Sequence, residues 1–169
     1  PNNSLIGLWL TLFPLLVAKQ IAGTPILYPQ LPEDEASGIA NMVFSRSRRF
    51  DGLIEQYADG ATQLVVLGAG LDARAYGSLA DTPMALFELD KATTQHAKRQ
   101  AVKRAGLKHD HVHYIEVDFA DSSWIEALVS SPFDPAKRSV FLWEGVTLYL
   151  SEANVRATLA AIKAYASPG

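Results

Sequence analysis

The 169-residue sequence contains no cysteine, so it can form neither a disulfide framework nor a zinc site built on thiolates. It also lacks an excess of positive charge, because 15 Lys and Arg residues face 18 Asp and Glu residues, giving a net charge of −3. Nucleic-acid-binding surfaces usually need a basic stripe, and we therefore expect no nucleic-acid partner. The composition that remains, 49% apolar and 20% charged, is ordinary for a globular protein that buries a core.

Long apolar runs are also scarce, and the most apolar stretch is Leu5–Ala18. It is shorter than the roughly 20 apolar residues of a membrane-spanning helix, and it carries Pro14. The basic leading end of a signal peptide is not visible before it. We predict that residues 1–60 form an N-terminal helical lid region, with this stretch as a buried or lid-forming helix, in a cytoplasmic protein. A membrane or signal segment is the alternative interpretation.

Beyond residue 60 the sequence alternates between short apolar segments and amphipathic ones, which predicts an α/β fold with a mostly parallel, Rossmann-like sheet over residues 61–169. The sequence begins with Pro1 and ends on a turn-like Ser167-Pro168-Gly169, so we expect a fragment truncated after the fourth strand. The predicted strands cover residues 63–67, 85–89, 112–117 and 139–143, and the longer helices cover residues 37–57, 92–104, 123–129 and 152–165.

Small or acidic residues stand where each predicted strand ends. Gly68 and Gly70 follow the first strand, and Asp90, Asp118 and Glu144 end the other three. The carboxyl ends of parallel strands share one edge of the sheet, where doubly wound folds bind their ligands. Acids gathered along one edge repel one another, so the pattern predicts a ligand that carries hydroxyl and amino groups.

Each of these acids suits a different part of a nucleoside-containing cofactor. Asp90, which lies 20 residues after Gly70, is placed to accept hydrogen bonds from both ribose hydroxyls. Asp118 and the neighbouring Phe119 suit the exocyclic amine and the face of a purine. Glu144 suits a positive group such as an amino terminus.

The glycine turn alone does not distinguish two cofactors. Gly68-x-Gly70-x-x-Ala73 also satisfies the fingerprint of nicotinamide dinucleotide sites. Asp72 lies inside the turn, where its charge would repel a pyrophosphate, whereas S-adenosylmethionine carries no phosphate. Asp118 at the third strand end also has a natural partner in the adenine of a methyl donor. We therefore favour S-adenosylmethionine and keep an NAD(P)-dependent oxidoreductase domain as the alternative.

Five stretches in order resemble the leucine carboxyl methyltransferase family: FSRSRRFDGLI, LVVLGAGLDARAY, LFELDKATTQHAKRQAV, IEVDF and FLWEGVTLYLSEANVRATLAAI. The resemblance runs from about Phe44 to the end, and it implies a class I methyltransferase fold that uses S-adenosylmethionine. The chain departs from it at Gly77, where many relatives have an arginine. The resemblance implies that the cofactor-binding residues are Lys19, Arg46, Gly68, Gly70, Asp90, Asp118, Phe119 and Glu144.

The resemblance also implies a reaction, the methylation of a carboxylate on a small molecule or on a protein C-terminus. Arg46 and Tyr149 are the candidate catalytic residues, Arg46 because guanidinium groups bind carboxylates in pairs of hydrogen bonds. We predict no metal, since His109, His111 and His113 are interpreted as a polar loop that enters the third strand. A non-catalytic fragment that keeps the fold remains a further alternative, and the oligomeric state is left open.

Overall fold

The computed structural model describes residues 35–121 and 123–166, and the side chains from residue 45 onward. All the predicted strands and longer helices are confirmed, with bounds that agree to within two residues. Short 3-10 turns lie at Arg74–Tyr76 and Thr147–Tyr149. The elements in chain order are α1 (Glu35–Tyr57), β1 (Gln63–Leu67), β2 (Ala85–Asp90), α2 (Ala92–Arg104), β3 (Val112–Glu116), α3 (Trp124–Val129), β4 (Ser139–Leu142) and α4 (Glu152–Tyr165).

The four strands form one parallel sheet in the order β3-β2-β1-β4, which confirms the predicted Rossmann-like class. The chain moves outward from β1 through β2 to β3, and it then returns to place β4 on the other side of β1. The strand order therefore reverses between β1 and β4. In open parallel sheets, the crevice beyond the carboxyl ends at such a reversal is where ligands bind.

Alternate residues of the strands feed two cores, one on each face of the sheet. In β1, Leu64 belongs to one core while Val65 and Leu67 belong to the other, as the two-residue period of a strand requires. Helices α1 and α2 contribute Ile54 and Val102 to the first core. Helices α3 and α4 cover the second face, so the sheet is sandwiched between two helical layers.

The N-terminal predictions fall largely outside the described residues. Leu5–Ala18 and Lys19 lie there, and the lid region and the boundary at residue 60 remain predictions. The carboxyl half of α1 is part of the folded core, because Ile54 is buried against the sheet. Within residues 35–121 and 123–166, no helix combines the length and the apolar character needed to cross a membrane.

Candidate functional site

The glycine turn after β1 is tied to the end of β2. The backbone N–H groups of Gly68 and Ala69 both donate to the Leu89 carbonyl, at 2.8 and 3.0 Å. The Gly70 N–H donates to Asp90 Oδ2 at 2.6 Å, and the Lys91 N–H donates to the other carboxylate oxygen at 2.6 Å. These bonds fix the Asp90 carboxylate at the carboxyl edge of the sheet, one strand away from the point where the strand order reverses.

Two positions in the turn need glycine for different reasons. Gly68 has φ +69°, and a Cβ atom there would lie 2.3 Å from Val146 Cγ2. Gly70 has φ +48°, but its nearest neighbour would be the Gly68 carbonyl oxygen at 3.8 Å. The small size of Gly68 therefore lets the segment after β4 approach β1. The space left open by a missing side chain lies beside Gly70.

Asp118 and Phe119 follow β3 and differ in exposure. Phe119 is buried against Trp124, with ring centroids 5.8 Å apart. Asp118 is exposed and accepts from Lys91 Nζ at 3.0 Å. The Ala120 N–H and the Lys91 ammonium hold the pKa of Asp118 below its ordinary range, so this carboxylate stays charged.

Glu144 follows β4 across the crevice and contacts two arginines. Arg46 on α1 donates from Nε to Oε1 at 2.7 Å, and Arg74 donates from Nη2 to Oε2 at 2.9 Å. The Glu144 side chain is only 11% exposed, whereas that of Arg46 is 43% exposed. Arg46 and Glu144, which are 98 residues apart in sequence, therefore form an ion pair at the switch point.

Arg74 is a further functional candidate, and no motif in the sequence indicates it. It is buried, and it also contacts Asp51 Oδ1 at 2.5 Å, Asp72 Oδ2 and the Ser47 carbonyl. Burial lowers the pKa of its guanidinium, but the charges of Asp72, Asp51 and Glu144 outweigh burial and raise that pKa. The crowding of acids along one sheet edge could have predicted such an internal cation. We call Arg46, Asp51, Asp72, Arg74 and Glu144 the edge cluster.

The contact between Asp72 and Arg74 corrects one argument drawn from the sequence. The sequence predicts that the charge of Asp72 repels a pyrophosphate from the glycine turn. Its carboxylate is instead paired with a guanidinium in the same turn and also accepts from the Arg74 N–H at 2.8 Å. The charge of Asp72 is therefore balanced by Arg74, and it does not distinguish a cofactor with a phosphate at the glycine turn from one without.

A second group of polar side chains lies inside the molecule. Lys98 Nζ on α2 is 2.6 Å from Glu88 Oε2 on β2, and both side chains are almost fully buried. The Tyr76 and Tyr114 hydroxyls share a hydrogen bond of 2.6 Å next to them. Burial raises the pKa of Glu88 even though Lys98 opposes the shift. We call Tyr76, Glu88, Lys98 and Tyr114 the interior cluster.

The remaining candidates are placed as follows. Tyr149 lies in the 3-10 turn after β4 and is 84% exposed, so its catalytic role stays a prediction. His111 Nε2 donates to the Ala75 carbonyl, and His113 stacks on Phe87. In the part of the chain that the structure describes, no group of three or more His, Asp and Glu side chains is arranged to hold a metal ion.

Comparison with known proteins gives a consistent family. A protein of Mycolicibacterium paratuberculosis is 38% identical over 69% of this chain and 39% of its own length. Two others, from Streptomyces avermitilis and Mycobacteroides abscessus, are 34% and 31% identical over 83% and 90% of this chain, and 52% and 51% of their own lengths. Each carries the name "Putative S-adenosyl-L-methionine-dependent methyltransferase".

The chain thus spans about half, or less, of the length of these relatives. A sequence model of the family described as leucine carboxyl methyltransferase matches residues 16–163. The match begins upstream of Phe44, where the sequence analysis placed its start, and it therefore includes Lys19 and all of α1. The match covers nearly the whole chain, and the parallel sheet has the switch point at which doubly wound folds bind their ligands. The chain therefore belongs to the leucine carboxyl methyltransferase family.

Proposed function

We propose that the chain is the S-adenosylmethionine-binding part of a methyltransferase, and that the cofactor lies along the carboxyl edge of the sheet, from the end of β3 across the switch point to the end of β4. The observation that carries this proposal is the set of groups along that edge. Asp90, a fixed hydrogen-bond acceptor, lies at one side of the switch point, and the ion pair of Arg46 and Glu144 lies at the other. Family membership and the names of the relatives support the same cofactor.

The acceptor groups at the ends of β2 and β3 fit the nucleoside half of S-adenosylmethionine. Each Asp90 oxygen accepts one backbone N–H, and a carboxylate oxygen has a second lone pair that a ribose hydroxyl can use. Gly70 has no side chain that would block the approach of a sugar to these oxygens. Asp118 then supplies an ionised acceptor for the adenine amine, and the neighbouring Phe119, although mostly buried, is proposed to contact the ring.

The same edge suits the methionine half. Among the described contacts, Arg46 uses only Nε for Glu144, so its two terminal nitrogens remain for a carboxylate. Glu144 accepts one bond on each oxygen and keeps lone pairs for an ammonium group. A zwitterionic amino-acid moiety thus has an anionic and a cationic partner side by side.

We further propose that the methyl acceptor is a carboxylate of a small molecule or of a protein C-terminus. When bound, S-adenosylmethionine supplies a methyl group activated by the sulfonium. A carboxylate is already ionised at pH 7 because its reference pKa is near 4, so the chain need not supply a general base. The residues of the chain then have to bind the acceptor and the cofactor and orient them toward each other, which charged pairs such as Arg46 and Glu144 can do. Tyr149 and Lys19 are proposed to line the acceptor and cofactor sides respectively.

A binding measurement tests the cofactor. We expect S-adenosylhomocysteine to raise the melting temperature of the 169-residue chain, and NAD to leave it unchanged, because only a ligand that binds the folded state stabilises it. Asp90→Ala should abolish the shift. Asp59→Ala is the matched control, because Asp59 is an exposed acid before the amino end of β1. Stabilisation by NAD alone would contradict the proposal.

The acceptor class needs a separate measurement. With radiolabelled S-adenosylmethionine, we expect transfer to carboxylic acids or to peptides with a free C-terminus. Mild alkali should release the label as volatile methanol, because alkali cleaves methyl esters but not methyl ethers or methylamines. Label that resists alkali would overturn the carboxylate assignment and leave the cofactor assignment standing.

A further inference from the structure

We propose that Arg74 is a positioning residue of the methyl-donor site, which orients the Glu144 carboxylate and joins it to the glycine turn and to α1. This inference rests on the function proposed above. Arg74 is not proposed to touch the cofactor or the reacting atoms. It acts through Glu144, whose Oε2 it holds at 2.9 Å while Arg46 holds Oε1.

The geometry gives each nitrogen of the guanidinium a separate partner. Nε donates to Asp51 on α1, Nη1 to Asp72 in the turn after β1, and Nη2 to Glu144 after β4. These three acids lie on segments that the sequence separates widely, and the planar fork of an arginine fixes their relative directions. Lysine has one nitrogen at the end of a flexible chain, so it cannot reproduce that arrangement.

Burial makes this arrangement obligatory. The Arg74 side chain is 9% exposed, and a buried guanidinium without partners carries a large desolvation penalty. Glu144 is nearly as buried at 11%. Neither group can turn to water without leaving a buried charge unpaired, so Arg74 favours the Glu144 orientation that the structure shows.

The charge balance of the edge cluster points to a cationic ligand group. Two guanidinium groups, of Arg46 and Arg74, face three carboxylates, of Asp51, Asp72 and Glu144, which leaves a net charge of −1. The ligand's ammonium and carboxylate groups cancel each other, so the sulfonium of S-adenosylmethionine would supply the remaining positive charge. Without Arg74, Asp72 and Glu144 would lose the cation between them and repel each other across the switch point.

A double-mutant cycle on ligand affinity distinguishes positioning from a purely structural role. By isothermal titration, we expect Arg74→Lys to weaken S-adenosylhomocysteine binding about tenfold or more. Glu144→Gln should weaken it comparably in the wild-type background but by less than twofold in the Arg74→Lys background. Independent effects that multiply would overturn the inference. Arg156→Lys is the matched control, because Arg156 forms an exposed pair with Glu152 on α4 and should leave affinity unchanged.

Two outcomes of these titrations separate a failure of the proposed function from a failure of this inference alone. If the wild-type chain does not bind S-adenosylhomocysteine, the proposed function and this inference both fall. If it binds and the cycle shows no coupling, only the inference falls. Should Arg74→Lys fail to fold, Asp51→Asn takes its place, since it removes one anchor of Arg74 without altering Glu144. We then expect a threefold loss of affinity that disappears when Glu144 is Gln, and independent losses would contradict the inference.

Discussion

The edge cluster and the interior cluster both contain cationic side chains paired with carboxylates, but they lie at different places in the fold. Glu88 and Tyr114 are register partners in the middle of β2 and β3, and Lys98 reaches Glu88 from α2, which packs on the sheet. The edge cluster instead draws on α1, a turn and the end of β4, beyond the ordered strands. Charges in mid-sheet can serve only the fold, whereas charges beyond the strand ends can also meet a ligand.

The two clusters also differ in what burial does to their charge. In the interior cluster, burial raises the pKa of Glu88 and of the Tyr76 hydroxyl. In the edge cluster, the acids around Arg74 outweigh burial and keep its guanidinium charged. We therefore expect the interior cluster to respond to pH and to contribute to stability, and the edge cluster to govern ligand affinity.

The largest expected effect breaks the interior cluster. Lys98→Met should lower the free energy of unfolding by about 3–5 kcal/mol, because it leaves a buried carboxyl group without its cation. Chemical denaturation followed by circular dichroism measures this loss. Lys98→Met combined with Glu88→Leu should recover most of it, since two apolar groups need no partners. A loss below about 1 kcal/mol would show that the pair is not buried as described.

A smaller effect is expected from the backbone of the edge region. Gly68→Ala should lower the free energy of unfolding by about 2–4 kcal/mol, because a side chain there is strained by positive φ and meets Val146. Two controls separate the causes by thermal denaturation. Gly106→Ala has positive φ and open space, so it should show the φ penalty of about 1–2 kcal/mol alone. Gly52→Ala lies exposed in α1 and should stabilise slightly. Equal losses at Gly68 and Gly106 would contradict the steric argument.

The next prediction uses pH to separate the clusters. The folded-state pKa of Glu88 is raised above its ordinary value of 4.5, so the folded state keeps a proton that the unfolded state has lost. The stability that this proton contributes is complete below the unfolded pKa and is lost as pH rises through the folded pKa. The free energy of unfolding of the wild-type chain minus that of Glu88→Gln should therefore fall as pH rises above about 4.5. Parallel pH profiles of the two proteins would refute the raised pKa.

The smallest effect is expected at the surface, outside both clusters. Arg156→Gln removes a pair with Glu152 in which both side chains are 77% exposed. Exposed pairs one helical turn apart contribute about 0.3–0.5 kcal/mol, and this one should decrease further in high salt. Thermal denaturation at low and high ionic strength measures it. A loss near that of Lys98→Met would mean that burial does not set the energy of ion pairs in this protein.

The fold could be predicted closely from the sequence because its signals are local. Apolar runs followed by glycine or an acid mark the parallel strands, and Ser151 is a side-chain cap for α4, as its bond from the Asn154 N–H shows. The positions of Asp90, Asp118 and Glu144 at one edge follow from the strand ends alone. These features need only the order of elements and the two-residue period of a strand.

The partners of these acids could not be predicted, since they depend on packing between distant segments. Arg74 is 70 residues from Glu144 and 23 from Asp51, and no local pattern brings the three together. The same holds for Gly68, because no local pattern shows that Val146 packs against it. The contact of Gly68 with the cofactor stays a prediction. The interior cluster was missed because Glu88 and Lys98 lie in patterns typical of a strand and of an exposed helix face.

The methyl donor is proposed to bind along the carboxyl edge of the sheet, from the end of β3 across the switch point to the end of β4. A nuclear magnetic resonance titration of the ¹⁵N-labelled chain with S-adenosylhomocysteine tests it most directly. We predict that the amide resonances of Gly70, Lys91, Phe119 and Gly145 shift together with a single dissociation constant. The groove that Leu53, Tyr57 and Val140 line between α1 and β4 should not respond. Shifts confined to that groove, or no shifts at all, would contradict the claim.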